Sequence, residues 1–465
     1  MISIIQIILI IIIQGDSMRF YDRKEETKMF KAFFEAEDFK LFILYGRRRV
    51  GKTYLLKHCT QNRKGVFFSG RQISSDLLLE LFSQEAGKIM HMTGIHFKHW
   101  EEAFDFAFSN SEKINYLILD EFQYMVEAAP EIPSILQTLI DHKETSLKLV
   151  LCGSSISFMH GLLSYSNPLY GRKTNYLKLQ PVKFTVLSEF LSVDCHSLLN
   201  FYAVFGGIPL YLEMIDPEKS LFENIQRLFL TIDSPLREEP LFLLSQVLRE
   251  PRAYLSILEA ISFGYNRAGE IASKIGYKDS RKIQPYLDTL KTLDLIKKEV
   301  PITEINPQRS RKGIYKIKDQ LFAFWFRFIF PNLHFIENDQ SAKVMRDLET
   351  NINQSTSFVF EEVSRDFLLK HFQFDKIGNF WGNDIAIDIM AQKDEKWFIG
   401  ECKWRNRKIG YGDYNQLVQK SSNLPYPIGQ YILVSKSGFD ERLLDLENVI
   451  LVEFTKENGF VVAKA

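Results

Sequence analysis

Leu41-Phe-Ile-Leu-Tyr45 runs directly into Gly46-Arg-Arg-Arg-Val-Gly51-Lys52-Thr53. Five apolar residues followed by G-x-x-x-x-G-K-[ST] demand a buried strand, a tight loop and a helix, in that order. Each residue type has a reason. Gly46 and Gly51 let the backbone turn and approach a phosphate where a Cβ would clash. The loop N–H groups and the start of the next helix supply fixed positive partial charge. Lys52 brings a mobile cation to β- and γ-phosphates, and Thr53 offers a hydroxyl to Mg²⁺. Arg47, Arg48, Arg49 and Val50 complete the loop and are candidate nucleotide-binding positions. The alternative is an empty glycine turn between strand and helix.

A second segment supports the phosphate reading. Ile114-Asn-Tyr-Leu-Ile-Leu-Asp120-Glu121 is an apolar strand ending in two carboxylates. At a strand's C-terminal end, Asp120 can order the Mg²⁺ shell and Glu121 can polarise an attacking water. Ser146-Leu-Lys-Leu-Val-Leu-Cys152-Gly-Ser154-Ser155 is another buried strand closing on small polar residues. Ser154 is a candidate γ-phosphate contact, against a plain serine helix cap. Arg172, in Pro168-Leu-Tyr-Gly-Arg172, is a candidate for stabilising transferred charge in cis or in trans, with a plain surface arginine as the alternative. Strands and helices alternate from 41 to 180, which predicts a parallel sheet with helices on both faces. ATP or GTP with Mg²⁺ is the expected ligand, at the C-terminal ends of the strands.

Composition sets limits on partners. Lys+Arg and Asp+Glu both number 58, so whole-chain charge gives no case for nucleic acid or membrane. Cys59, Cys152, Cys195 and Cys402 have no metal-type spacing, which fits a reducing cytoplasm. The apolar leader Ile2–Ile13 lacks a signal-peptide n-region and is short for a spanning helix. It reads as sequence upstream of a start at Met18, with a membrane anchor as the alternative. The expected division is a leader at 1–17, a P-loop domain at 18–190, a helical lid at 191–239, a segment at 240–320 and a C-terminal domain at 321–465.

Within 240–320, three short helices precede strands Leu295–Val300 and Gly313–Lys318, the order of a winged helix. Lys278, Arg281, Lys282 and Lys291 permit contact with DNA, and a mechanical arm is the other reading. Phe322–Phe330 reads as a buried interdomain helix, ended by Pro331. Phe358–Leu369 is a helix, and Asn379–Ala391 reads as one strand with Asp388 inside its apolar run. After a turn at Lys393–Lys396 comes Trp397-Phe-Ile-Gly-Glu401-Cys-Lys403-Trp404. Period-2 geometry puts Glu401 and Lys403 on one face, and Asp388 can face them. Asp388 and Glu401 can hold Mg²⁺ while Lys403 steadies a hydroxide or a scissile phosphate. A hairpin with a surface ion pair is the alternative.

Residues 18–330 resemble the archaeal-type P-loop ATPases, relatives of AAA+ proteins and of signal-transduction ATPases with numerous domains. The resemblance rests on Phe20-Tyr-Asp-Arg23, Gly46–Thr53, Leu119-Asp-Glu-Phe-Gln-Tyr124, Cys152-Gly-Ser-Ser155, Tyr170-Gly-Arg172 and Gly206-Gly-Ile-Pro209. Residues 315–420 look like the DUF234 domain, which is similar to the PD-(D/E)xK (restriction-endonuclease-like) nuclease fold. Its marks are Phe324-Trp-Phe-Arg-Phe328, Phe360-Glu361, Ile387-Asp388-Ile389 and Gly400-Glu-Cys-Lys-Trp404. The family's Glu two residues before the Asp is Ala386 here; Asp388, Glu401 and Lys403 match the nuclease-type positions, with Glu361 on the helix as a candidate fourth. The resemblance implies an Mg²⁺-dependent ATPase whose nucleotide state moves a winged-helix arm and a nuclease-like domain. Its partners would be ATP and DNA or a protein, with oligomers allowed. The alternative is a slow ATP-dependent switch or scaffold that binds without cutting.

Overall fold

In a computed structural model, residues 23–248, 250–382 and 385–465 are described. The leader 1–17, Met18 and Phe20-Tyr-Asp22 lie outside them. The apolar run before Gly46 forms β1 (Lys40–Tyr45), the second strand from one edge of a five-stranded sheet. Its neighbours are β2 (Gly65–Ser69), β3 (Tyr116–Asp120), β4 (Lys148–Gly153) and β5 (Asn175–Lys178), in the order β2-β3-β4-β1-β5. All pairings are parallel. Register brings Tyr45 beside Gly153 and Ser69 beside Asp120, so the C-terminal ends of the strands line up.

Both faces are covered, which is why β1 is apolar at every position from Leu41 to Tyr45 rather than at alternate ones. Leu41 and Ile43 enter one core and Phe42 and Leu44 the other. Phe30 and Phe33, on the helix Lys24–Glu35, pack on Phe42 with ring centroids 4.3 and 5.3 Å away. Phe42→Ala would empty the centre of this stack and cost about 3–5 kcal/mol.

The Phe42 core runs on without a break through helices between 187 and 262 and into the aromatic run. That run is not one regular helix. It is an α-turn at Gln320–Phe324, a π-helix at Trp325–Ile329 and a 3₁₀ turn at Phe330–Asn332. Bulky rings at almost every position leave no polar face, so the helix widens to seat them. The Trp325 indole N–H donates to the Arg237 carbonyl at 2.7 Å. Pro331 sits inside the 3₁₀ turn, and a further helix, Leu333–Glu337, follows it.

Helices Arg252–Ser262, Ala268–Lys274 and Gln284–Thr292 lead to an antiparallel ribbon, β6 (Ile296–Glu299) and β7 (Ile314–Ile317). The ribbon leans on the C-terminal part. Lys297 pairs with Glu362 at 2.8 Å, Ile302 N–H donates to the Asn379 carbonyl, and Trp381 Nε1 donates to the Lys312 carbonyl.

The C-terminal helix is longer than expected, Ser341–Phe372. Its first half is rich in Asn, Gln, Ser and Thr, which obscure a buried stripe of Val344, Leu348, Ile352, Thr356, Val359 and Val363. The expected single strand from Asn379 is two, β8 (Lys376–Gly382) and β9 (Ile385–Lys393). They pair antiparallel, with Gly382 opposite Ile385. With β10 (Lys396–Lys403), β11 (Ile428–Ser435), β12 (Val449–Thr455) and β13 (Gly459–Lys464) they form a six-stranded sheet, ordered β13-β12-β11-β10-β9-β8. No helix among the described residues is long and apolar enough to cross a membrane.

Candidate functional site

The loop leaving β1 turns where only glycine fits. A Cβ on Gly46 would meet the Leu179 carbonyl oxygen at 2.5 Å. Gly51 has φ +93°, a left-handed conformation that side chains resist. It begins the helix Lys52–Thr60, whose first turn has no side-chain cap, so its backbone N–H groups face outward as anion donors. Lys52 Nζ folds over the loop and donates to the Gly46 and Arg47 carbonyls, both at 2.9 Å. Burial lowers the Lys52 pKa, although Asp120 and Glu121 pull the other way.

Asp120 and Glu121 stand at the end of β3 beside this helix. Thr53 Oγ1 donates to Asp120 Oδ2 at 2.7 Å, and Glu121 N–H donates to Asp120 Oδ1 at 3.0 Å. A hydroxyl and a carboxylate this close are the hard oxygen donors that Mg²⁺ takes, so these residues fit that ion. Glu121 has φ +49°. Its Oε2 accepts from Ser154 Oγ at 2.8 Å and from Gln123 Nε2. A cavity of about 500 Å³ opens above the loop. Val50–Leu55 and Glu121 line one side, and Phe190, Pro209, Leu210, Glu213, Phe242 and Leu243 line the other. That volume is in the range of small-ligand sites.

The three loop arginines reach three different places. Arg47 pairs with buried Asp319 at 2.6 Å and lies over the Phe322 ring. Arg48 donates to Ser154 Oγ at 3.4 Å and to the Tyr124 hydroxyl. Arg49 pairs with Glu239, a fully buried carboxylate that also accepts from Tyr211 at 2.9 Å. Burial raises the Glu239 pKa, and Arg49 holds it back. Thus Arg47 and Arg49 face carboxylates that lie beyond the phosphate loop and its sheet.

A second cluster sits on the C-terminal sheet. Asp388 on β9 accepts the Cys402 N–H on Oδ2 at 3.0 Å. Glu401, buried on β10, accepts from Lys403 Nζ at 2.5 Å and more distantly from Lys420 at 3.4 Å. Glu361 comes from the long helix, with Arg365 4.0 Å away. Arg365 donates to the Asp388 carbonyl oxygen at 2.8 Å. Burial, then the neighbouring carboxylates, raises the pKa of both Glu361 and Asp388. Among the described residues, no three His, Cys, Asp or Glu side chains converge as a ready metal cage. Asp388 and Glu401 remain as a two-carboxylate set, which suits an ion that keeps most of its water.

Comparison with known proteins matches these two regions. Residues 20–215 match an ATPase domain found predominantly in Archaea, and residues 325–413 match DUF234, archaeal and bacterial proteins of unknown function. An uncharacterized protein of Methanocaldococcus jannaschii is 36% identical over 455 residues, covering 92% of this chain and 99% of that one. The chain belongs to the archaeal ATPase family with a C-terminal DUF234 domain. An uncharacterized ATP-binding protein of the same organism is 47% identical over 45 residues, 10% of this chain and 76% of that one. A Walker-type ATPase of Pyrococcus abyssi superposes with a TM-score of 0.52 at 22% identity, covering 67% of this chain and 99% of that one.

The ATPase domain brings Gly46–Thr53, Asp120, Glu121 and Ser154 together, and the DUF234 region brings Asp388, Glu401 and Lys403 together. Arg172 stands apart from these residues. Its guanidinium forks onto Asp141 at 2.6–2.7 Å and donates to the Pro168 carbonyl, outside the cavity. That two-pronged partner on its own surface matches the surface-arginine reading. Sequence reasoning missed Arg23, Glu213 and Phe242 in the cavity wall, and the grip of Gln123 on Glu121. Gln123 was visible two residues after Glu121, at a position buried on the far side of a helix turn. Arg23 closes the Phe20-Tyr-Asp-Arg23 match without being read as a cavity residue, and Glu213 and Phe242 carried no local signal.

Proposed function

We propose that this chain binds ATP with Mg²⁺ in the cavity above the loop and hydrolyses it. One observation carries the reading. Lys52, Thr53–Asp120 and Glu121–Ser154 converge at the aligned C-terminal ends of β1, β3 and β4. Lys52 and the N–H groups of the first helical turn hold the phosphates, with Arg48 beside them. Thr53 and Asp120 are the residues that would hold the ion, which neutralises charge on the β- and γ-phosphates. Glu121 orients the attacking water, and Ser154 fixes the Glu121 carboxylate. Phe190, Leu210 and Phe242 give an apolar wall for a base, with Pro209 and Leu210 inside the segment 191–239 expected to form a lid. Helices 252–292 and the β6–β7 ribbon act as a winged-helix arm that responds to nucleotide state. The test is ATP turnover by wild type and Glu121→Gln. Turnover in wild type and its loss in Glu121→Gln, with ATP still bound, supports an enzyme. ATP binding with negligible turnover in wild type makes the chain a switch instead.

Glu361, Asp388, Glu401 and Lys403 favour a second reading, metal-dependent cleavage of a phosphodiester. Two carboxylates from adjacent strands beside a lysine suit that chemistry, with Glu361 on the long helix close enough to repel Asp388. Asp388 and Glu401 would hold the ion and Lys403 would steady the phosphate. The test is cutting of DNA and RNA with Mg²⁺, with and without ATP, beside Asp388→Ala combined with Lys403→Ala. Cutting that survives both substitutions removes this site from the reaction.

A further inference from the structure

The loop between β6 and β7, residues 300–313, carries a feature that neither reading uses. Ile305 at its tip is fully exposed, further out than any other large apolar side chain among the described residues. It opens the run Ile305-Asn-Pro-Gln-Arg309, and Arg311 and Lys312 follow closely. The loop's one acid, Glu304, is neutralised by Lys312 at 2.8 Å. The Arg309 and Arg311 guanidiniums are exposed and have no partner among the described residues.

The base of the loop is held while the tip stands free. Lys298 Nζ donates to the Ser310 carbonyl at 2.9 Å, and Lys312 N–H donates to Ser310 Oγ at 3.1 Å. Ile302 and Lys312 are tied to Asn379 and Trp381 on β8, which anchors the loop beside the DUF234 sheet. A fixed base lowers the entropy lost on binding. An exposed apolar wedge with no protein cover has a cost in water, and one flanked by free arginines has a specific use. Proteins that enter the DNA minor groove pair Arg, Asn and Gln for the groove with Ile or Pro wedged at a base step.

We propose that this loop is a duplex-DNA contact, with Arg309 and Arg311 on phosphates or the minor groove and Ile305 as the wedge. Asn306 and Gln308 supply hydrogen bonds to the groove edge. Lys278 and Lys282, just before the third helix of the arm, are exposed as well. An acidic protein would satisfy the arginines but gives no role to the Asn-Pro-Gln run beside the isoleucine.

The test measures binding of the full chain to A·T-rich and G·C-rich duplexes by fluorescence anisotropy over a salt series, without ATP or divalent metal. Arg309→Ala with Arg311→Ala is expected to weaken binding at least tenfold and to reduce the salt slope by about 1.8, two phosphate contacts' worth. Ile305→Ser is expected to weaken binding several-fold with the slope unchanged and to reduce DNA bending read by end-to-end energy transfer. All three positions are exposed, so ATP turnover and melting temperature stay at wild-type values and report intact folding. An unchanged slope in the double variant overturns the proposal. So does a wild-type protein that ignores DNA while binding poly-glutamate. DNA bound in this assay but never cut in the separate assay with Mg²⁺ leaves this inference standing and removes the cleavage reading alone.

Discussion

The phosphate loop and the DUF234 carboxylate cluster are opposites in charge. At the loop, a buried lysine and a helix N-terminus leave surplus positive potential, and burial lowers the lysine's pKa. At the cluster, carboxylates crowd together, and burial and mutual repulsion raise the pKa of Glu361 and Asp388. The loop keeps its cation on backbone carbonyls, which a stronger acceptor can displace. The cluster ties Glu401 to Lys403 and Lys420. One arrangement suits an arriving anion and the other an arriving cation. The difference shows that desolvation selects the ligand by the sign of the group it strands.

Glu121→Gln should have the largest effect. Turnover is expected to fall about 10²–10⁴-fold with ATP affinity nearly kept, as a phosphate-release assay and calorimetry would show. Lys52→Ala comes next. It should weaken the bound γ-phosphate and cut turnover about 10²–10³-fold, while Mn²⁺ binding at the DUF234 cluster, read by paramagnetic resonance, stays unchanged. A change there would break the separation of the two sites.

The ribbon between the sites gives a pH window. Burial would raise Glu299, but Lys297 and Lys316 outweigh it and hold its pKa at about 2, below the ordinary 4.5. The folded protein therefore keeps this carboxylate charged when the unfolded chain would protonate it. Its contribution is complete above about pH 4.5 and is lost as pH falls toward 2. Trp381 fluorescence should report the ribbon loosening in that window, and Glu299→Gln should flatten the response. The smallest effect is expected from Glu361→Gln. Burial and the neighbouring Asp388 push its carboxyl up to about 8, so it is mostly protonated at neutral pH. The amide should leave hydrogen-exchange protection of the long helix nearly unchanged there and raise it only above about pH 8, without metal. Loss of protection there would mean that Glu361 is held by partners rather than strained by neighbours.

Legibility followed sequence distance. The strand–loop–helix at 41–60 and the acidic strand end at 120–121 were readable because each is one short segment with its own periodicity. The parallel order followed from alternating strands and helices. The break between β8 and β9 was masked by apolar residues on both sides of Gly382. The first half of the 341–372 helix was masked by polar residues around a narrow buried stripe. Partner choice was not readable at all. Nothing near Arg47 points to Asp319, and nothing near Arg172 points to Asp141, because ion pairs are decided by the finished packing.

The Arg47–Asp319 and Arg49–Glu239 pairs use positions in the phosphate loop that the nucleotide itself leaves free to vary. Those positions act as an address for the segments packed against the loop. A chimera that keeps this ATPase domain and exchanges everything after residue 238 would strand two guanidiniums against foreign surfaces. Transplanting a new arm therefore requires rewriting residues 47 and 49 with it, so the motif's variable letters and the architecture downstream form one unit of inheritance.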